Sequence, residues 1–136
     1  MNGNLTVVTN NSSISQNNAS GLIVNGNSQF TINGTAPASV TLNGAANNFG
    51  NVSVSAGGNA NNNVSLVDST GVNLGTSTIG GSLSVLAGGN IATVGAVTVL
   101  NNSSVSLNAY NNGTIYFGNG SSVANGTIST NSAGNS

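Results

Sequence analysis

Asp68 is the single carboxylate side chain in a chain of 136 residues, and lysine, arginine, histidine, cysteine and glutamate are absent. The other groups that could do chemistry are 34 serine and threonine hydroxyls. A hydroxyl becomes a nucleophile only beside a base that takes its proton, and no histidine, lysine or glutamate exists to act as one. Glycoside hydrolysis usually takes two carboxylates, and a calcium site takes several oxygens with formal charge among them. Asp68 alone meets neither requirement, so it reads as a turn residue that accepts backbone N–H bonds after Val64-Ser65-Leu66. The expectation is no catalytic residue, no metal ligand and no cofactor site; the chain is not an enzyme.

Three other features bear on binding or modification. Ala-Gly-Gly-Asn occurs at 56–59 and at 87–90, like the opening of calcium-binding nonapeptide coils, which need an aspartate a few residues later. Neither copy has one, and both read as tight corners with glycine at positive φ. Twelve Asn-x-Ser/Thr triplets begin at Asn4, Asn10, Asn11, Asn18, Asn33, Asn51, Asn63, Asn101, Asn102, Asn112, Asn119 and Asn125. With 28 asparagines and a quarter of the residues Ser or Thr, composition accounts for most of them. Tyr110 and Tyr116 are the candidate surface-contact residues, since outward tyrosines on an uncharged wall stack on sugars or on a partner. The structural alternative has Phe117 filling the core and Tyr116 covering it.

Charge excludes whole classes of partner. Nucleic-acid binding draws its affinity from cations that neutralise phosphates, and anionic membrane surfaces attract the same cations; this chain has none, and its net charge is −1. No run of about 18 apolar residues is present to span a bilayer, and MNGNLTVV has neither the basic nor the apolar region of a signal peptide.

The elements that position these residues follow one phrase: apolar, small polar, apolar. It recurs at Leu5-Thr6-Val7, Phe30-Thr31-Ile32, Val40-Thr41-Leu42, Val52-Ser53-Val54, Val64-Ser65-Leu66, Val72-Asn73-Leu74, Leu83-Ser84-Val85, Val97-Thr98-Val99, Val105-Ser106-Leu107 and Ile115-Tyr116-Phe117. A period of two in β-branched residues is a strand with its outer pair inward and its middle residue outward. Asn-Gly, Gly-Gly, Asn-Asn and Ser-Gly lie between the phrases and supply turns.

From Phe30 onward the phrases start 8 to 14 residues apart, so every second one recurs after roughly 18–24 residues. A sandwich would need large side chains interdigitating across two inner faces, and there are three phenylalanines and 37% hydrophobic residues in all. A coil that stacks on the previous coil needs only a narrow aliphatic core. Stacked equivalents lie about 4.7–4.9 Å apart, where charges repel and Ser, Thr and Asn form hydrogen-bonded ladders. Residues 1–136 therefore read as a single all-β domain, a parallel β-solenoid with coils of roughly 18–24 residues. Val54, Leu66, Val72, Leu74, Leu83, Val85, Val97 and Val99 should point inward, with Ser53, Ser65, Asn73, Ser84 and Thr98 outward.

Residues 42–99 resemble the repeats of large bacterial surface adhesins of the filamentous haemagglutinin type. Asn48-Phe49-Gly50, Val64-Ser65-Leu66, Asp68, Val72-Asn73-Leu74-Gly75, Gly81-Ser82-Leu83-Ser84-Val85 and Ala87-Gly88-Gly89-Asn90-Ile91 follow that grammar in order. The Asn-Pro-Asn signatures of the secretion domain that opens those proteins are missing here. The resemblance implies a single-stranded right-handed parallel β-helix, extracellular or at the cell surface, serving as a fibrous stalk or attachment factor.

Two functions follow. In the first, the chain is a structural component of an extracellular bacterial fibre, a homo-oligomer stacking head to tail. In the second it is an adhesin module that recognises glycans, or host or abiotic surfaces, through its Ser/Thr/Asn wall. Ice recognition would need one repeated outward pattern, and the trios Ser39-Thr41-Asn43, Asn51-Ser53-Ser55, Asn63-Ser65-Val67 and Gly71-Asn73-Gly75 do not repeat one. Neither end carries the charges or helix that cap a solenoid, so the residues are expected to be either a piece of a longer adhesin or a filament subunit. The opening methionine favours the subunit.

Overall fold

The computed structural model describes residues 1–17, 20–124 and 126–132. Six passes of the chain, about five coils from first to last, stack in parallel, and the described residues contain no helix. The first pass supplies β1 (Leu5–Asn10) and β2 (Ile14–Ser15), the second β3 (Ile23–Asn33) and β4 (Val40–Leu42), the third β5 (Asn48–Ala56) and β6 (Val64–Asp68). The fourth supplies β7 (Val72–Leu74), β8 (Ser77–Ile79) and β9 (Leu83–Ala87), and the fifth β10 (Ile91–Thr93), β11 (Val97–Val99) and β12 (Val105–Ala109). The last supplies β13 (Ile115–Tyr116), β14 (Ser122–Val123) and β15 (Ile128–Ser132).

These strands form two sheets along the stack. The second has six strands in the order β15, β12, β9, β6, β4, β2, and the first has nine. In the first sheet the long β5 pairs with β7 through Val52 and with β8 through Ser55, because Gly75-Thr76 interrupts the fourth pass. From that point each pass places two short strands on the first sheet where the earlier passes place one. Paired residues give the coil lengths: Val72 faces Ile91, 19 residues on, and Leu5 faces Ser28, 23 on. The longest step runs from Ile14 to Val40, 26 residues, beyond the 18–24 expected. It contains the 11-residue β3 with its register shift between Val24 and Asn27.

Parallel register puts like on like. On the second sheet Ile14, Val40, Val64, Leu83, Val105 and Ile128 form one inward column, and Leu42, Leu66, Val85 and Leu107 form another. All eight residues assigned inward from sequence are buried, and the five assigned outward are exposed or half-buried. The core is one continuous thin cluster. Its only pair of rings in contact among the described residues is Phe30 against Phe49, edge to face at 6.3 Å, a geometry aromatic quadrupoles favour.

Replacing Leu66 by serine removes a side chain buried in the middle of a column, and the cost expected for such a large-to-small change is about 2–5 kcal/mol. Ser65→Lys, one residue away on the outer face, should stay within roughly 0.5 kcal/mol. Denaturant unfolding of the two variants measures this, and equal losses would overturn the inward assignment.

Candidate functional site

The outer face of the second sheet carries an ordered array. Ser15, Thr41, Ser65, Ser84, Ser106 and Ser129 are successive partners across all six strands, an unbroken column of hydroxyls. Two residues earlier, just ahead of each strand, stand Ser13, Ser39, Asn63, Ser82, Ser104 and Thr127. Their polar groups bind along the axis: Ser39 N donates to Ser13 Oγ at 2.9 Å, Ser82 N to Asn63 Oδ1 at 2.8 Å, and Ser104 N to Ser82 Oγ at 3.2 Å. Consecutive outward trios belong to different sheets, and within each sheet the trios still differ in composition; only the central hydroxyl of the second-sheet trios repeats. Sorted by sheet, Ser39-Thr41-Asn43 lies beside Asn63-Ser65-Val67, while Asn51-Ser53-Ser55 and Gly71-Asn73-Gly75 belong to the other face.

Asp68 ends β6 and is buried. Its Oδ2 accepts Phe49 N–H at 2.6 Å, and its Oδ1 accepts Thr70 N–H at 2.8 Å and the Thr70 hydroxyl at 2.9 Å. The carboxylate thus clamps the corner between the two sheets, as an acceptor of backbone N–H groups. A second side-chain clamp holds the corner between β4 and β5. Asn47, fully buried, exchanges two amide bonds with Gln16, at 2.8 and 2.9 Å, accepts Leu22 N–H and donates to Leu42 O. The available signal was Gln16 itself, standing at the inward position two residues after Ile14 where the pattern calls for an aliphatic side chain.

Both Ala-Gly-Gly-Asn phrases are corners, yet none of their glycines has positive φ. Close approach demands them: a Cβ on Gly58 would lie 2.1 Å from the Gly34 carbonyl oxygen, and one on Gly88 2.2 Å from that of Ser69. Positive φ occurs at other glycines, among them Gly34 and Gly120, and at asparagines, Asn11, Asn101, Asn102, Asn111, Asn112 and Asn119, whose short polar side chains tolerate it. Several triplet asparagines bridge coils: Asn11 Oδ1 accepts Ala36 N–H, Asn51 Nδ2 donates to Asn27 Oδ1, Asn101 Nδ2 donates to Gly80 O and Asn119 Nδ2 to Thr93 O. Asn18 and Asn125 lie outside the described residues. Tyr116, 56% exposed, projects outward on β13, Tyr110 is exposed at the corner after β12, and Phe117 is half-buried against the core.

The ends of the described stack differ from its middle. Ile128 is 49% exposed although its column partners Val105 and Leu83 are buried, and Ile115, Phe117 and Val123 beside it are only half-buried. At the other end Leu5 and Val7 are half-buried, and β1 pairs on one side only, with β3.

A family model described as repeats of unknown function (DUF5649) matches residues 1–56 and 61–131. The chain belongs to this repeat family. The two DUF5649 segments meet at the corner between β5 and β6, so each holds more than two passes of the solenoid. No curated protein and no solved structure matches the chain.

Asp68→Ala leaves the buried Phe49 N–H without its acceptor, which costs about 1–3 kcal/mol, and frees the N–H of the exposed Thr70, which water can reach. Asp68→Asn keeps one carbonyl oxygen and should lose less. Denaturant unfolding at neutral pH compares them, and an alanine variant as stable as the wild type would refute the clamp.

Proposed function

We propose that the chain is a structural segment of an extracellular bacterial fibre whose coils stack head to tail on those of a neighbouring unit. The observation that carries this reading is the in-register stacking of like on like: the column from Ile14 to Ile128 and the hydroxyl column from Ser15 to Ser129 each run through all six strands of the second sheet. An uncovered edge is a template for another strand, and solenoids that remain monomeric cap it. A further unit placed on β15 continues the columns already present, Ile128 receiving Ile14 and Ser129 receiving Ser15. Such a contact is heterologous and does not close, which makes a filament. The low net charge adds little repulsion between units. The resemblance of residues 42–99 to filamentous haemagglutinin-type repeats supports a location at or outside the cell surface and a stalk-like role.

The second reading, adhesion to glycans or to host or abiotic surfaces, is favoured by the hydroxyl column of the second sheet, a regular and uncharged wall.

Electron microscopy and fibre diffraction of the purified chain test the filament. Ordered fibres with an axial repeat of about 4.7–4.8 Å are expected, and a monodisperse monomer at high concentration would contradict the proposal. Because the chain has no cysteine, the double variant Ser15→Cys, Ser129→Cys reports the register. Strands one step apart bring Cα atoms within about 4.4–6.8 Å, the span of a disulfide, so oxidation should yield a ladder of covalent oligomers.

A further inference from the structure

On the outer face of the first sheet, Thr6, Gln29 and Ser53 are stacked partners. The next position in that column is Gly75, whose N–H donates to Val52 O at 2.7 Å, and Val94 follows, its N–H donating to Leu74 O at 2.8 Å. The backbone ladder therefore continues while the column of side chains has a gap. A groove of about 580 Å³ opens there along the stack, from Asn27 and Gln29 in the second pass to Val94 and Gly95 in the fifth. Its size falls in the usual range for small-molecule sites, about 300–1,000 Å³.

The lining has one kind of chemistry. The Gln29 amide and the Ser53 and Thr76 hydroxyls make no hydrogen bond among the described residues, while Asn51 Nδ2 donates to Asn27 Oδ1 at 3.0 Å and leaves the Asn51 oxygen and the Asn27 amide nitrogen facing outward. Ser28 also borders the groove, but its side chain is buried on the inward face of the strand, in register with Leu5 and Val52. Val94, 54% exposed, adds an apolar face. A Cβ at Gly75 would sit 2.4 Å from Ser53 Oγ, so any other residue there would crowd the gap.

We propose that this groove binds a neutral saccharide chain lying along the coil axis. An anionic ligand would find no cation, and a cationic ligand would find no carboxylate, since Asp68 is buried at a corner away from the lining. An added peptide strand needs a free sheet edge, and the strands beneath the groove are already paired. A chain of hydroxyl groups with aliphatic C–H faces matches unpaired amides and hydroxyls set around one valine. The assignment depends neither on filament formation nor on the hydroxyl wall of the second sheet.

The test is an NMR titration of the isotopically labelled full chain at dilution. Linear oligomers of glucose, mannose, galactose and N-acetylglucosamine are the probes, with polygalacturonate and heparin as anionic controls. At least one neutral oligomer should shift the side-chain amide signals of Asn27, Gln29 and Asn51, and high salt should leave the binding unchanged because no ion pair contributes. Gln29→Ala, Val94→Ser and Gly75→Ser should each weaken it about tenfold or more, while Ser65→Lys on the second sheet should have no effect. Gln29 and Val94 are exposed, so those variants keep the test decisive if Gly75→Ser does not fold. The proposal is overturned if no neutral oligomer moves these amides, if Gln29→Ala and Val94→Ser bind undiminished, or if Ser65→Lys abolishes binding.

Discussion

Every coil of this solenoid places its residues one strand spacing, about 4.7–4.9 Å, above the equivalent residues of the coil before. That in-register parallel stacking is the constraint from which the rest follows. A charge on one coil would face a like charge on the next, and at this distance in a partly dry setting the repulsion would be severe. Neutral hydroxyls and amides instead bind one another up the axis, as Ser82 and Ser104 do. Inward columns need only Val, Leu and Ile, because each coil contributes a thin slice of core and its neighbours close it above and below.

The same constraint makes corners the demanding places. There the chain leaves one sheet for the other, and backbone groups lose their ladder partners. Asp68, the Gln16–Asn47 amide pair and the asparagines in left-handed conformation supply replacements from side chains. Glycines at 58 and 88 serve where two corners of successive coils nearly touch. Stability is therefore cooperative along the axis, nearest neighbour by nearest neighbour, and its weakest points are the end coils. The proposed fibre and the proposed saccharide groove use different consequences of one geometry: the first uses columns that a further coil would continue, the second a gap in an outer column.

Much of this was readable from the residues. Alternation such as Val64-Ser65-Leu66 fixes which side chains turn inward, whatever the sheet, and the lack of large side chains decides between a sandwich and a stacked coil. Asp68 was legible as a backbone acceptor, because a lone carboxylate after a strand has little else to do. The assignment of phrases to sheets was not legible. VSVSAGGN at 52–59 and LSVLAGGN at 83–90 look like equivalents, yet Val52–Val54 lie on the first sheet and Leu83–Val85 on the second. A local pattern specifies a strand and a corner, and the face it joins depends on the summed length of everything between. For the same reason the hydroxyl column and the Gly75 gap emerge only once the register is known.

Residue-resolved amide hydrogen exchange on the dilute chain tests the stacking account most directly. If each coil is held by its neighbours, β6 and β9 in the middle of the second sheet should exchange slowest, with protection falling in both directions toward β2 and β15, and toward β1 and β13 on the first sheet. Equal protection of the end strands and the central ones in the monomer would contradict it, since it would mean that the coils are stabilised by something other than the coils above and below.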